Sequence, residues 1–325
     1  MINQQLLQNV EMDWSKLKMK KSTIKIDNLF KHICLCCGIM VLLIVAGFFI
    51  QLMWASSAAW NKFGLGFITS SGWDPAAEKF GALPSIIGTL VTTFIALLIS
   101  LPLAFAASIF IVDAPKKISV ILGYAVDLLA AIPSVIYGMW GLFILAPLMQ
   151  KYIQPFMINI LHMDKIPFVT HNYNGFGLFT AGVILAIMIL PYICAVIRDV
   201  LQMTPPVLKE AAYGIGCTKL EAHKDIILRY GIRGILGGIF IGLGRALGET
   251  MAVLFVIGNI MNIPKGIFDS ATTISSTLAN NFAEADGLQR SVLFALGFIL
   301  LLMCLSIQLI SQGFLHVTKS QRGER

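Results

Sequence analysis

The sequence predicts an all-α protein that crosses a membrane six times. Three observations carry this. Hydrophobic residues fill 57% of the 325 positions and charged residues only 13%, about half the charged share of an ordinary soluble domain. Apolar runs near the roughly 20 residues a spanning helix needs recur around 30–53, 84–112, 119–147, 176–197, 233–257 and 291–315. Basic residues also sort by side: with both termini inside, the inner segments hold 17 of the 24 Lys and Arg residues. That positive-inside asymmetry orients the chain in a bacterial inner membrane. It also accounts for the formal net charge of +7 without a nucleic-acid partner.

Residues 1–28 read as a cytoplasmic basic leader, with Lys16, Lys18, Lys20, Lys21 and Lys25 setting topology or resting on anionic membrane lipid. A secretory signal places a short apolar core near the start, followed by a small-residue cleavage site. Here the first apolar run begins near Leu29 and continues too far, so it reads as an uncleaved span opening a transmembrane domain over 29–325. Cys34, Cys36 and Cys37 lie in that run with no matching His or Cys set and read as apolar filler. Segment 54–83 carries Trp54, Trp60 and Trp73, the pattern of aromatic residues at the headgroup level on the outer side.

The inner loop Asp113-Ala-Pro-Lys-Lys is short, so spans two and three are antiparallel neighbours. Pro102, Pro133 and Pro191 fall inside spans, where each removes a backbone hydrogen bond and kinks a helix. Segments 148–175 and 258–290 read as outer interfacial helices and loops. Asp127 in span three either faces a pathway or bonds a neighbouring backbone, and Arg198 and Asp199 close span four by local pairing. His162, His171 and His223 show no ligand spacing, so no metal site is expected.

Span five holds Gly244-Arg245-Ala246-Leu247-Gly248-Glu249-Thr250-Met251 near the middle of its apolar run. A central arginine costs about 2.5–3.5 kcal/mol on insertion scales, so such residues face a bundle interior or a wet cavity. Gly234, Gly238 and Gly242 share a stripe with Arg245 and Glu249, a close-packing face suited to the matching span of a partner subunit. The planar guanidinium makes two parallel bonds to a tetrahedral oxyanion. A neighbouring carboxylate suits an anion that still carries a proton, as hydrogen phosphate does and sulfate does not. The alternative is an Arg245–Glu249 ion pair at i, i+4 that neutralises itself and sets helix register.

Between spans four and five, the inner segment 200–232 runs Glu210-Ala211-Ala212, three residues, Gly216, nine residues, then Ile226-Ile-Leu228. This pattern resembles the coupling loop of ABC importer permeases, except that Arg229 stands where that family usually has proline; without it the second helix of the loop is free to run on into span five. The run from Gly242 to Val253, the run from Ala130 to Phe143, Phe63-Gly-Leu-Gly-Phe and Trp73-Asp-Pro resemble permeases of phosphate ABC importers of the PstC type. The likeness covers roughly residues 60 to 260.

The resemblance implies the type I ABC importer permease fold and a permease domain that is not itself an enzyme. It implies a sister permease, a homodimeric ATP-binding subunit that holds ATP and magnesium, an external phosphate-binding protein and a phosphate-signalling regulator. Docking through Ala211, Ala212 and Gly216, with Glu210 on a basic groove and Ile226 and Leu228 behind, is what the coupling-loop likeness implies. Arg245, Glu249 and Thr250 are the pathway residues it implies. No Gly-x-x-x-x-Gly-Lys-Ser/Thr run occurs in the sequence, so this chain has no phosphate-binding loop of its own. Other readings are a permease for another oxyanion such as sulfate, an ion-coupled carrier using Glu249 as a proton site, and a regulatory scaffold. No nucleophile elbow or ligand set suggests an enzyme.

Overall fold

The computed structural model describes residues 21–160, 169–170 and 173–320; the first twenty residues of the leader, His162, Lys165 and His171 lie outside them. Contacts divide the chain after Trp54. The first unit is helix α1 (Lys21–Ala55), apolar along most of its length, with Phe30, Leu42, Ile50 and Trp54 among its exposed side chains. At 1.5 Å per residue it is about 52 Å long, ample for a hydrocarbon core of about 30 Å.

The second unit begins at Ala55. Its main helices are α2 (Leu83–Asp113), α3 (Lys116–Ala131), α4 (Ser134–Trp140), α5 (Leu178–Gln202), α6 (Pro206–Gly214), α7 (Leu228–Leu247), α8 (Met251–Leu254), α9 (Ile274–Asn281) and α10 (Gly287–Ser320). Among the described residues, five helical runs are long and apolar enough to span a membrane, and the bent pair made by α3 and the helical run Ser134–Asn159 makes a sixth when counted as one broken span. The described residues contain no β-strand, only two isolated bridges.

That sixth span is where the sequence reading needs correction. The span expected over 119–147 with a kink at Pro133 is instead broken at Ile132-Pro133 into two helices that turn through 88°. Ile132 is extended, with φ −65° and ψ 128°, because the residue before a proline is pushed out of the helical region. Pro102 and Pro191, by contrast, stay inside continuous helices.

Helix α5 is the centre of the bundle. Ile184, Leu185, Met188, Ile189, Ile193 and Ile197 are fully buried, and α2, α3 and α7 pack against it. On α2 the buried positions Ala96, Ser100, Ala104 and Ser108 recur every fourth residue and line one face. Small side chains there let the two helices approach. The Ser108 Oγ donates to the Cys194 carbonyl at 3.0 Å, and a Cβ at Gly182 would lie 2.5 Å from the Ile95 Cγ2.

The glycine stripe of α7 faces this same helix. A Cβ on Gly234 or Gly238 would meet Val200 or Val196 at 2.5 or 2.7 Å, and one on Gly242 would meet Ile193 at 2.6 Å. The close-packing face expected to receive a partner's span therefore receives α5 of its own chain.

A second core lies between segments 54–83 and 258–290 and α10, where Phe67 and Phe80 pack with Ile274, Val292, Leu293 and Leu296. Trp60 stands edge-on to Phe67 at 6.0 Å, and Trp73 to Phe80 at 5.2 Å. These two tryptophans, expected at the headgroup level, are built into an aromatic core. Beside it a buried hydroxyl network ties α9 to the start of α2. The Thr89 Oγ1 accepts from the Ile274 N–H at 3.0 Å, and Ser85 and Thr277 share a hydrogen bond of 3.0 Å.

Candidate functional site

Helix α7 ends at Leu247, ten residues before the expected end of span five. Gly248 is a poor helix former, and Glu249 turns to the next element: its Oε1 accepts from the Ala252 N–H at 3.3 Å at the start of α8. The first N–H groups of a helix lack intrahelical acceptors, so a carboxylate there is stabilising. The Thr250 Oγ1 donates to the Gly248 carbonyl at 3.4 Å. Arg245 thus sits in the last turn of α7, at the end of its span rather than in the middle.

Arg245 and Glu249 make no ion pair with each other; each has a different neighbour. The guanidinium carbon of Arg245 lies 4.0 Å from the centre of the Tyr192 ring, an approach at which ring and cation attract. The Arg245 Nε is buried and has no hydrogen-bond partner among the described residues. A charged donor so placed is costly unless an acceptor reaches it, and it suits a carboxylate, phosphate or similar oxyanion.

Tyr192 was not legible as a site residue, yet it joins Arg245 to the broken span. Its hydroxyl donates to the Ala130 carbonyl, and the Tyr137 hydroxyl donates to the Leu129 carbonyl at 2.9 Å. In an unbroken helix these carbonyls accept from residues 134 and 133; Pro133 has no N–H and the turn removes the other. The only local signal is a hydroxyl in an otherwise apolar run, directly after Pro191.

Asp127 faces Arg198, which reaches it at 3.4 Å and its own neighbour Asp199 at 3.0 Å. These residues, with Ser119, Tyr124 and Gln202, line a cleft of about 230 Å³ between α3 and α5. Asp127 therefore bonds a side chain rather than a neighbouring backbone, which was one of the two roles expected from sequence.

In the loop, α6 carries Glu210 and Ala211 exposed and Ala212 buried. The chain reverses at Gly216, whose φ of +88° is the left-handed conformation glycine adopts at helix ends. Thr218 and Glu221 then form a capping box. From Lys219 a single helical run continues to Leu247, through a π-helical stretch at Ala222–Ile227. With arginine rather than proline at 229 the helix does run on into the span, and Arg229 bonds Asp225 one turn back at 3.3 Å.

The small-residue face splits: Ala211 and Gly216 are exposed, while Ala212 packs inward, and Ile226 and Leu228 are half-buried. The apolar side chains actually presented are Val207, Tyr213, Ile215 and Leu220. Buried His223, which had no assigned role, has its Nε2 3.3 Å from the Asp113 carboxylate, linking the loop to the inner end of α2.

Both regions fall within residues 80–315, the part of the chain that matches the family of binding-protein-dependent transport system inner membrane components. Relatives agree over greater length. The phosphate transport system permease protein PstC of Pasteurella multocida is 43% identical over 305 residues, covering 92% of this chain and 95% of its own. Its counterpart from Mesorhizobium japonicum is 46% identical over 303 residues, covering 91% and 92%. The chain belongs to this permease family, and to its PstC type. It is a membrane-spanning permease subunit and not itself an enzyme. Among solved structures, a bacterial alginate ABC transporter in complex with its pentasaccharide-bound periplasmic protein aligns over 92% of this chain and 98% of its own, with a TM-score of 0.60 at 18% identity. The inward-facing MetNI methionine ABC transporter aligns over 73% and 94%, with a TM-score of 0.51 at 17% identity. At such identities the likeness concerns the fold alone, the all-α ABC permease fold expected from sequence.

Proposed function

We propose that this chain forms half of the transmembrane pathway of an ATP-driven importer whose cargo is inorganic phosphate. The observation that carries the reading is Arg245: a cation at a helix end, its Nε buried without an acceptor, beside a glutamate that does not neutralise it. Hydrogen phosphate satisfies both groups, because it offers oxygens to Arg245 and a proton to Glu249. Thr250 adds a hydroxyl to the same turn. The relatives' phosphate-transport names point the same way.

In this reading a sister permease supplies the other half of the pathway, and an external phosphate-binding protein delivers the cargo. A homodimeric ATP-binding subunit, which holds the nucleotide and magnesium, docks on loop 200–232 through Glu210, Ala211, Gly216 and the exposed apolar side chains around them. Ala212, Ile226 and Leu228 hold that surface to its own chain. The leader 1–28 and both termini are cytoplasmic, residues 29–325 form the permease domain, and the assembly reports external phosphate to a signalling regulator.

Vesicles containing the full assembly are expected to take up labelled phosphate with ATP, and excess sulfate should leave uptake unchanged. Equal uptake with a non-hydrolysable analogue overturns the energy source, and effective sulfate competition overturns the cargo. Arg245→Ala is expected to abolish uptake while the ATPase still co-purifies. Normal transport by that variant removes Arg245 from the pathway.

A further inference from the structure

We infer that Tyr192 is a positioning residue that ties the state of Arg245 to the bend between α3 and α4. The inference rests on the reading of Arg245 as a cargo ligand. Two faces of one side chain carry it. The ring holds the Arg245 guanidinium at 4.0 Å, and the hydroxyl donates to the Ala130 carbonyl in the last turn of α3.

The carbonyl is not an incidental acceptor. Pro133 ends α3, the chain turns through 88°, and the carbonyls of Leu129 and Ala130 lose their usual helical donors, Leu129 keeping the Ile132 N–H at 3.3 Å. Carbonyls in an apolar region need a donor. Tyr137, beyond the bend, supplies one from inside the broken span. Tyr192 supplies the other from α5, and is thereby a polar contact between the bend and the rest of the bundle. Straightening or further closing the bend shifts the Ala130 carbonyl, strains this hydrogen bond and moves the ring under Arg245.

The coupling runs in both directions, as any equilibrium linkage must. An oxyanion that draws the guanidinium off the ring weakens the hold on Tyr192 and so changes the preferred bend. A bend change imposed from the cytoplasmic side changes how Arg245 is presented. Pro191 directly precedes Tyr192 in α5; its fixed φ limits local adjustment of the backbone that carries the ring.

Two substitutions separate the two faces. Tyr192→Phe keeps the ring and removes the donor; Tyr192→Leu removes the ring as well. In vesicles holding the complete assembly, with labelled phosphate as the probe, Tyr192→Phe is expected to lower the maximal uptake rate about fivefold, the equivalent of one hydrogen bond, with KM within about twofold. Tyr192→Leu is expected to raise KM about tenfold in addition, as a desolvated cation–ring contact is lost. Co-purification of the ATPase with each variant reports assembly, and Tyr192→Phe, the conservative change, carries the test if Tyr192→Leu does not assemble.

Tyr192→Phe transporting like the parent, or changing KM alone, overturns the link. If Arg245→Ala abolishes uptake while Tyr192→Phe has no effect, the cargo reading stands and this inference fails. If Tyr192→Phe slows uptake while Arg245→Ala transports normally, Tyr192 acts on the bend alone and the link to cargo is overturned together with the reading beneath it.

Discussion

Gly88→Ala is the substitution the packing resolves most sharply. A Cβ at Gly88 would lie 1.9 Å from the Thr272 carbonyl oxygen and 3.0 Å from its carbon. A carbon and a carbonyl oxygen rest about 3.3–3.6 Å apart, so α2 and the Thr272 backbone must separate by about 1.5 Å. No side-chain rotation relieves the clash, because the backbone fixes the Cβ position and the carbonyl oxygen is itself backbone. The separation stretches the Thr89–Ile274 and Ser85–Thr277 bonds, each 3.0 Å, beyond useful hydrogen-bond range. Overpacking costs about 1–3 kcal/mol, and two buried hydrogen bonds add about 1 kcal/mol each. Alanine's better helix propensity returns about 1 kcal/mol. The net loss is about 3 kcal/mol, a fall of roughly 4 °C in the melting temperature of the detergent-purified chain. Gly237→Ala is the control, since nothing lies within 4 Å of its added carbon. If the two variants melt together, the close crossing at Gly88 is not part of the folded protein.

Gly238→Ala meets Val196 at 2.7 Å and is expected to destabilise the isolated chain by about 1 kcal/mol; a loss seen only in subunit assembly, with the isolated chain unaffected, refutes the intrachain packing of the stripe. Ser108→Ala removes a buried donor to Cys194 and is expected to cost about 1 kcal/mol by thermal melting, and an unchanged melt counts against that contact. Asp113→Asn and His223→Gln loosen the loop from α2; each should speed amide exchange over Lys219–Leu228 and lower phosphate uptake, and protection equal to the parent's argues that the contact holds nothing.

The span positions were legible because apolar length is a local property, and so was the run-on of the loop helix past Arg229, which follows from one missing proline. What decides between three similar prolines was not. Pro133 breaks its helix where Pro102 and Pro191 do not, and the tyrosine hydroxyl that donates to the Ala130 carbonyl comes from 62 residues further along the chain. The glycine stripe announced close packing, but periodicity names a face and not its partner. Arg245 and Glu249 were visible as an anomaly in an apolar run. Their separation was hidden, because it depends on α7 ending at Leu247 and on the Ala252 N–H that holds the carboxylate.

The helical run from Lys219 to Leu247 is one 29-residue rod. Arg245 rides on it about 39 Å from Lys219 at the helical rise per residue, so each degree of tilt about the loop end sweeps the guanidinium through about 0.7 Å. A few degrees is then a full hydrogen-bond length. The π-helical stretch at Ala222–Ile227 lies close to the fulcrum, where a looser turn absorbs twist with least effect on the distant end. Geometry alone lets a small rotation at the loop end make or break a contact at the far end of the rod.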